Sequence, residues 1–262
     1  MTERIAVFGG VYSNHLALAA LLEDAPRRGA ERVYCLGDLG AFGPHPDKVF
    51  PLLREASVPV VQGNYDNSVG NNLADCQCGY TDAKDNFFAR LSYDYTFRNT
   101  AEENKLWMRA LPPEIRLELN GVRVLLCHGS PRKTNEFLWE TTTSIAFLER
   151  LAEAHGADVL VGTHTGLHWH RALPSGRHFV NCGAIGRPAN DGAPHVWYAM
   201  ISVSDNRQVE VEFVPLRYDH VQLAAAMRSE NLPEEFVTTI ETGWWTTCLE
   251  VLPMKERVRG FY

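Results

Sequence analysis

The sequence predicts an α/β fold with a largely parallel arrangement of strands. Three observations carry that prediction. Short apolar runs alternate with helical stripes through residues 4–61. Two of those runs end in Gly37-Asp38 and Gly63-Asn64, not in hairpin turns. No repeat, low-complexity linker or composition shift divides the 262 residues, so a single domain is expected over 1–262.

The elements follow in order. Arg4–Phe8 is an apolar strand leading to Gly9-Gly10-Val11-Tyr12. Asn14 caps a helix whose Leu18, Leu21 and Leu22 share a face, with Gly29 beyond its end. Val33–Leu36 is a second strand, and Val49, Leu52 and Leu53 form a helical stripe. Pro51 is tolerable there only near the helix start. Val58–Val61 reads as a third strand and 65–82 as irregular chain. Asp82 opens a helix with Phe87, Phe88, Leu91 and Tyr95 on one side; Thr100 and Glu103 form a capping-box pair for the next. Ile115, Leu117 and Leu119 alternate with polar residues, Asn120-Gly121 supplies a turn, and Val122–Cys127 returns. Ser144 caps another helix before a strand at Val159–Val161. Further strands are expected near 167–172, 178–181, 196–203 and 208–215. Helices near 218–228 and 234–241 close a C-terminal extension spanning about 216–262.

Composition narrows the functional classes. The formal net charge of −7 argues against non-specific binding to nucleic acid or to anionic membranes. One local positive site for a small phosphorylated molecule remains compatible with it. No run approaches the roughly 18 apolar residues of a membrane helix. The N-terminus lacks a basic segment followed by an apolar one. The six cysteines are scattered, so they are read as reduced and the chain as cytoplasmic. Cys35 and Cys127 lie within apolar strands and are expected to be buried.

Asp38, Asn64, His128 and His164 each stand just past an apolar run. In open α/β sheets the crevice at the carboxyl ends of strands is where ligands bind. Carboxylate, amide and imidazole delivered to one edge suit a divalent transition ion such as Mn, Fe or Zn. Each residue alone has a simpler reading as a turn, a cap or a structural hydrogen bond. The shared placement is what points to a metal.

The stretches CLGDLGAFGPHPDKVFPLL, VQGNYDN, LLCHGSPR, VGTHTGLHWHR and FVNCGAIGRP resemble the calcineurin-like metallophosphoesterases, in their small bacterial phosphodiesterase and phosphatase branch. The resemblance covers roughly residues 1–215. It implies a four-layer α-β-β-α sandwich and hydrolysis of phosphomonoesters or phosphodiesters by a hydroxide activated between two divalent ions. On the family's motifs, Asp38 matches the bridging carboxylate. Asn64, His128 and His164 match the other ligands of the second ion, and Asp38, Asn64 and His128 the catalytic set. The first ion's Asp-x-His falls on Gly10-Val11-Tyr12, and its last His falls on Gly166 once His164 is matched to the first His of Gly-His-x-His. Matching Gly162 instead would put Thr163 and Thr165 at those two positions. The preferred match leaves the second site complete and empties the first.

One divalent ion per chain is therefore expected, with a small phosphorylated substrate or ligand. A non-catalytic or regulatory binding protein is the alternative. Tyr12 is expected to fill the vacated space or line a pocket. His168, His170, His15 and the Cys76-x-Cys78 pair are the candidates for rebuilding a site. Tyr65 replaces a His common in relatives, and its pKa of about 10 suits acid catalysis poorly. Asp66 is expected to orient His128 or the Asn64 loop. Arg187 is a weak candidate for contacting phosphate, with a buried ion pair as its other reading. Restoring Asp, His and His at positions 10, 12 and 166 is expected to recreate the second ion, unless the glycines require special backbone angles.

Overall fold

The structure, a computed structural model, describes residues 1–258. β1 (Glu3–Phe8) shows how the layers arise. Its side chains alternate: Ile5 and Val7 join a cluster shared by two sheets, while Ala6 and Phe8 join one shared with helices. α1 (His15–Arg27) starts at Asn14, whose side chain accepts from the Ala17 amide. β2 (Arg32–Cys35) pairs parallel with β1. A short 3-10 turn at Pro46–Lys48 leads into α2 (Val49–Glu55), where Pro51 is within the first turn.

Four local expectations fail for physical reasons. Val58–Val61 makes one bridge, Cys35 to Val60, and no strand. Pro59 has no N–H to offer, and the chain turns almost at once into α3 (Asn64–Gly70), a helix where irregular chain was expected. α4 (Ala83–Asn99) is capped by Asp82 as expected, but it buries Phe88, Ala89, Ser92, Tyr93 and Thr96 and exposes Phe87 and Leu91. α5 (Glu102–Arg109) forms without the Thr100 box: Thr100 donates back to the Thr96 carbonyl, and Asp47 accepts from the Ala101 amide.

β3 (Glu114–Leu119) and β4 (Val122–Cys127) form the expected hairpin, with Asn120 and Gly121 both at positive φ. α6 (Ile145–Ala154) is capped by Ser144. β5 (Val159–Gly162), β6 (His168–Ala172), β7 (His178–Cys182), β8 (Val196–Val203) and β9 (Val209–Leu216) complete the strands. One sheet has the order β2-β1-β8-β9 and the other β3-β4-β5-β7-β6. Parallel pairing is confined to β1/β2, β4/β5 and β5/β7. The tight connections β3–β4, β6–β7 and β8–β9 force antiparallel pairs, so the sheets are mixed and not largely parallel.

Val124, Leu126, Val159 and Val161 pack against Ile5, Val7, Ala199 and Ile201 between the sheets. Leu125 and Leu160 point the other way, onto Leu148 and Leu151 of α6. Two sheets face each other, with helices outside both. α7 (His220–Ser229), α8 (Glu234–Thr242) and α9 (Met254–Arg257) follow the last strand. Phe236 of α8 packs on Phe42, ring centroids 4.6 Å apart. Residues 259–262 of the expected extension lie outside the described residues. Among those described, no helix is long and apolar enough to cross a membrane.

The cysteine reading needs one correction. Cys76 and Cys78 are joined by a disulfide; their turn brings the Cα atoms to 5.3 Å, inside bridging range. Cys35, Cys127, Cys182 and Cys248 are free and buried.

Candidate metal centre

The parallel strands deliver their C-terminal loops to one place. Asp38 follows β2, His128 follows β4, His164 follows β5, and the loop carrying Arg187 follows β7. The loop after β1 lies between two others: Gly10 and Tyr12 amides donate to the Gly37 and Asp38 carbonyls, and Ile185 and Gly186 amides donate to Gly9 and Gly10. Asp38, His164, Tyr12 and Ser13 all have positive φ. Such angles are uncommon away from glycine and concentrate at functional sites.

Asp38, His128 and His164 are buried, and each offers one ligand atom within 4.8 Å of the others. His128 Nε2 faces Asp38 Oδ2 at 3.2 Å and His164 Nδ1 at 3.2 Å. The opposite nitrogen, Nδ1, lies 2.6 Å from the Leu36 carbonyl. A carbonyl only accepts, so Nδ1 carries a proton. In the neutral ring the Nε2 lone pair then points into the cluster. This is the usual way a backbone group fixes a ligating tautomer.

Asn64 begins α3 beside Asp38, whose Oδ1 accepts from the next amide, Tyr65 N, at 3.0 Å. The Asn64 amide group donates to the Cys76 carbonyl at 2.8 Å and approaches Cys78 Sγ at 3.4 Å. Those bonds fix its Oδ1, which is buried without a hydrogen-bond partner. His164 Nε2 is likewise buried and unpartnered. Lone acceptors buried this way are costly in a protein interior. Two imidazoles, a carboxylate and an amide oxygen fit a borderline divalent ion.

Charges in the cluster are coupled. Burial disfavours the Asp38 carboxylate, but His128 outweighs it and holds Asp38 below its usual range. Burial likewise opposes His128 protonation, and the Asp38 charge and hydrogen bond raise it overall. Burial, then repulsion from His128, pushes His164 down to about 3. Asp66, fully buried, is pushed up to about 6 by burial and then by the charge of Asp38.

Asp66 acts on backbone, not on His128. Its Oδ2 accepts from the Asp38 and Gly63 amides, each at 2.8 Å, and Oδ1 from Leu39 at 3.0 Å. It therefore ties the Asp38 loop to the Asn64 loop. Leu36 orients His128 in its place. That carbonyl, like the Cys76 carbonyl, carries no side-chain signal in the sequence.

The other candidates sort by position. His164, and not Thr163 or Thr165, faces His128; Thr163 Oγ1 donates to Gly183 O and Thr165 Oγ1 to Leu167 O. His168 stacks on Trp197 and Phe213, and His170 pairs with His178 across a hairpin. Neither belongs to the cluster. The Tyr65 hydroxyl bonds Ser92 at 3.1 Å on α4, and burial pushes its pKa further up. Its ring lines a cavity of about 50 Å³ that Asp38, His164, Tyr12, Arg187 and Cys248 also line.

The two glycines matched to ligand positions of the first ion, Gly10 and Gly166, are closely packed. Gly10 has φ +51, and a Cβ there would lie 2.8 Å from Tyr12 Cζ and 2.8 Å from Ala184 Cβ. Gly166 has φ +75, and a Cβ would lie 3.2 Å from Trp245 and 3.5 Å from Arg187 Nη2. The Tyr12 ring, Trp245 and Arg187 are packed where the two glycines leave room. Both glycines do need their angles, so the proviso attached to rebuilding that half-site is not met.

Comparison with known proteins agrees with this architecture. An uncharacterized protein of Methanocaldococcus jannaschii is 26% identical over 239 residues, covering 88% of this chain and 94% of that protein. The crystal structure of a metallophosphoesterase from Sphaerobacter thermophilus is similar at a TM-score of 0.69 and 26% identity, covering 93% of this chain and all of that one. A hypothetical protein of Pyrococcus horikoshii shares the fold at a TM-score of 0.76 and 20% identity, over 93% of this chain and 99% of that chain. Residues 4–206 match the calcineurin-like phosphoesterase superfamily domain. The chain belongs to that superfamily.

Proposed function

We propose that the protein is a metal-dependent phosphoesterase working with one divalent transition ion, held by Asp38, Asn64, His128 and His164. The observation that carries this reading is the convergence of three buried ligand residues from separate strand ends within 4.8 Å, with the His128 tautomer set by Leu36. A divalent ion held there supplies Lewis acidity: it lowers the pKa of water and offsets phosphoryl charge. The chain's own part is to fix the ligands. Asp66 holds the Asp38 backbone, the Cys76 carbonyl turns the Asn64 oxygen inward, and Leu36 sets the His128 proton. Tyr12 and Tyr65 wall the substrate side with their rings. A small phosphorylated substrate completes the reading.

One observation favours a second reading, a non-catalytic binding protein. Side chains at Gly10 and Gly166, the positions matched to the first ion's ligands, would meet Tyr12 and Trp245, which argues against a two-ion clamp. Elemental analysis of protein purified without chelator, with a screen of aryl phosphomonoesters and diesters in manganese, separates the two. One ion per chain and turnover lost in His128→Ala supports the enzyme. Bound metal with no turnover on any ester supports the binding protein.

A further inference from the structure

The cavity beside the ligand cluster contains a cation, Arg187, that forms no ion pair among the described residues. Arg187 is 7% exposed, and its Nε is buried without a hydrogen-bond partner. No carboxylate among the described residues pairs with it. Its guanidinium carbon lies 3.5 Å from the centroid of Trp245 and 5.9 Å from the rings of Tyr12 and Phe42. Aromatic rings take the flat face of a guanidinium and leave its N–H edges free. Asp38 and His164 line the same cavity.

An arginine stays charged at any working pH, and burying an uncompensated charge is expensive. Stacking on Trp245 offsets part of that cost. The remaining N–H edges call for an anion, and the planar fork matches two oxygens of a phosphoryl group. The cavity sets the size. At about 50 Å³ the cavity suits a small anion, and a terminal phosphoryl group needs room for one ester arm only. Phe42, Phe88 and Phe236 line part of the remainder, and among the described residues no further cationic side chain lines it to meet a second phosphate oxygen pair. A diester keeps two free oxygens for the fork but brings one negative charge, where a monoester near neutral pH brings about 1.5–2.

We infer that Arg187 binds the terminal phosphoryl group of a phosphomonoester. This rests on the phosphoesterase reading of the neighbouring ligands and names its substrate class. The guanidinium stands on the side of the vacated ion, beside Gly166, and takes over part of that ion's charge. The C-terminal segment builds this subsite. Trp245 is anchored by its indole N–H to the Pro188 carbonyl and by its amide to Asn190 Oδ1. Asp85 accepts from the Val251 amide at 2.8 Å and keeps that segment in place.

The test is calorimetric titration of methyl phosphate and of dimethyl phosphate into the full chain, with and without manganese. Wild type, Arg187→Met and Arg187→Lys are compared, each after a melting curve. Wild type is expected to prefer methyl phosphate by about tenfold or more, the scale of a stronger charge-assisted contact to the more highly charged anion. Arg187→Met is expected to lose that preference while keeping its manganese affinity within about twofold, a readout independent of turnover. Arg187→Lys keeps the charge without the fork and is expected to fall between them; it decides the matter if the Met variant does not fold. Equal binding of methyl phosphate by wild type and variant overturns the inference, as does a wild type that binds both probes alike or neither. The metal-free titration separates the two readings. If manganese fails to bind but methyl phosphate still depends on Arg187, the metal assignment falls and the subsite stands. If manganese binds through Asp38 and His128 while methyl phosphate ignores Arg187, the reverse holds.

Discussion

Rebuilding the first half-site as Gly10→Asp, Tyr12→His and Gly166→His should fail for steric reasons that the structure makes quantitative. Both glycines have left-handed φ, +51 and +75, and a side chain there costs about 1–2 kcal/mol at each position. At Gly166 the new Cβ would press on Trp245 at 3.2 Å before any imidazole is placed. Forcing extra atoms into a packed site costs about 1–3 kcal/mol more. At Gly10 the Tyr12→His change relieves the contact with the phenol ring, but Ala184 remains 2.8 Å away. The triple variant should therefore lose at least about 3 kcal/mol. For a chain of this size that lowers the melting temperature by about 6 °C or more. Metal must be absent from the comparison, because an ion at 100 times its dissociation constant restores about 2.7 kcal/mol by mass action. The assay is thermal melting in chelator, followed by manganese titration with elemental analysis. A triple variant that melts within about 2 °C of wild type and takes up two ions would refute the claim that the half-site is closed by packing.

Asp38→Ala and His128→Ala should each abolish retention of the single ion while the protein still melts cooperatively; a variant that keeps its metal removes that residue from the ligand set. Asp66→Asn should lose about 1–3 kcal/mol, because an amide leaves a buried N–H facing the donors the carboxylate accepts, and should weaken manganese about tenfold or more. Unchanged melting and unchanged manganese affinity would argue that the three amides do not depend on it. His170 and His178 share one proton at 2.9 Å, and burial holds both pKa values below the usual histidine range. A depressed histidine pKa adds stability that is complete above about pH 6.5 and declines as pH falls below it. His178→Gln should flatten the acid side of a melting-temperature profile measured between pH 5 and 7, and an unchanged slope would show that the pair does not carry it.

Local signals in the sequence recovered most elements because they act over a few residues. Asn14, Asp82 and Ser144 cap the helices they precede, and Asn120-Gly121 turns the hairpin it was read to turn. Failures came where tertiary contacts override a local pattern. Val58–Val61 has a strand composition, but Pro59 and the immediate start of α3 leave it with a single bridge. Phe87 and Leu91 looked like the buried stripe of α4, yet the helix turns its face with Phe88 and Ser92 inward, where Ser92 meets Tyr65 and the Phe42 amide. The parallel reading of the first strands was sound for β1 and β2, but nothing in those residues announces that β8 will enter antiparallel beside β1.

The site was legible to the extent that its chemistry resides in side chains at strand ends. Asp38, Asn64, His128 and His164 could be named because each follows an apolar run. The atoms that orient them could not, since the Leu36 and Cys76 carbonyls belong to residues chosen for packing or for a turn. The resemblance matches Gly10, Tyr12 and Gly166 to ligand positions of a first ion, but what packs around them was not legible. Trp245 meets Gly166 only because the C-terminal segment returns to the sheet edge, held by Asp85 and Asn190. That return changes the meaning of Arg187. From sequence it divides between a phosphate contact and a buried ion pair. Among the described residues no carboxylate pairs with it, and Trp245, Tyr12 and Phe42 rings surround it. A chain that had lost one ion by drift would need only something apolar in the gap. Here the gap also carries a fixed positive charge, placed in the same cavity as two of the remaining ligands. A buried charge with no carboxylate partner among the described residues is costly, and an anion bound in that cavity would offset it.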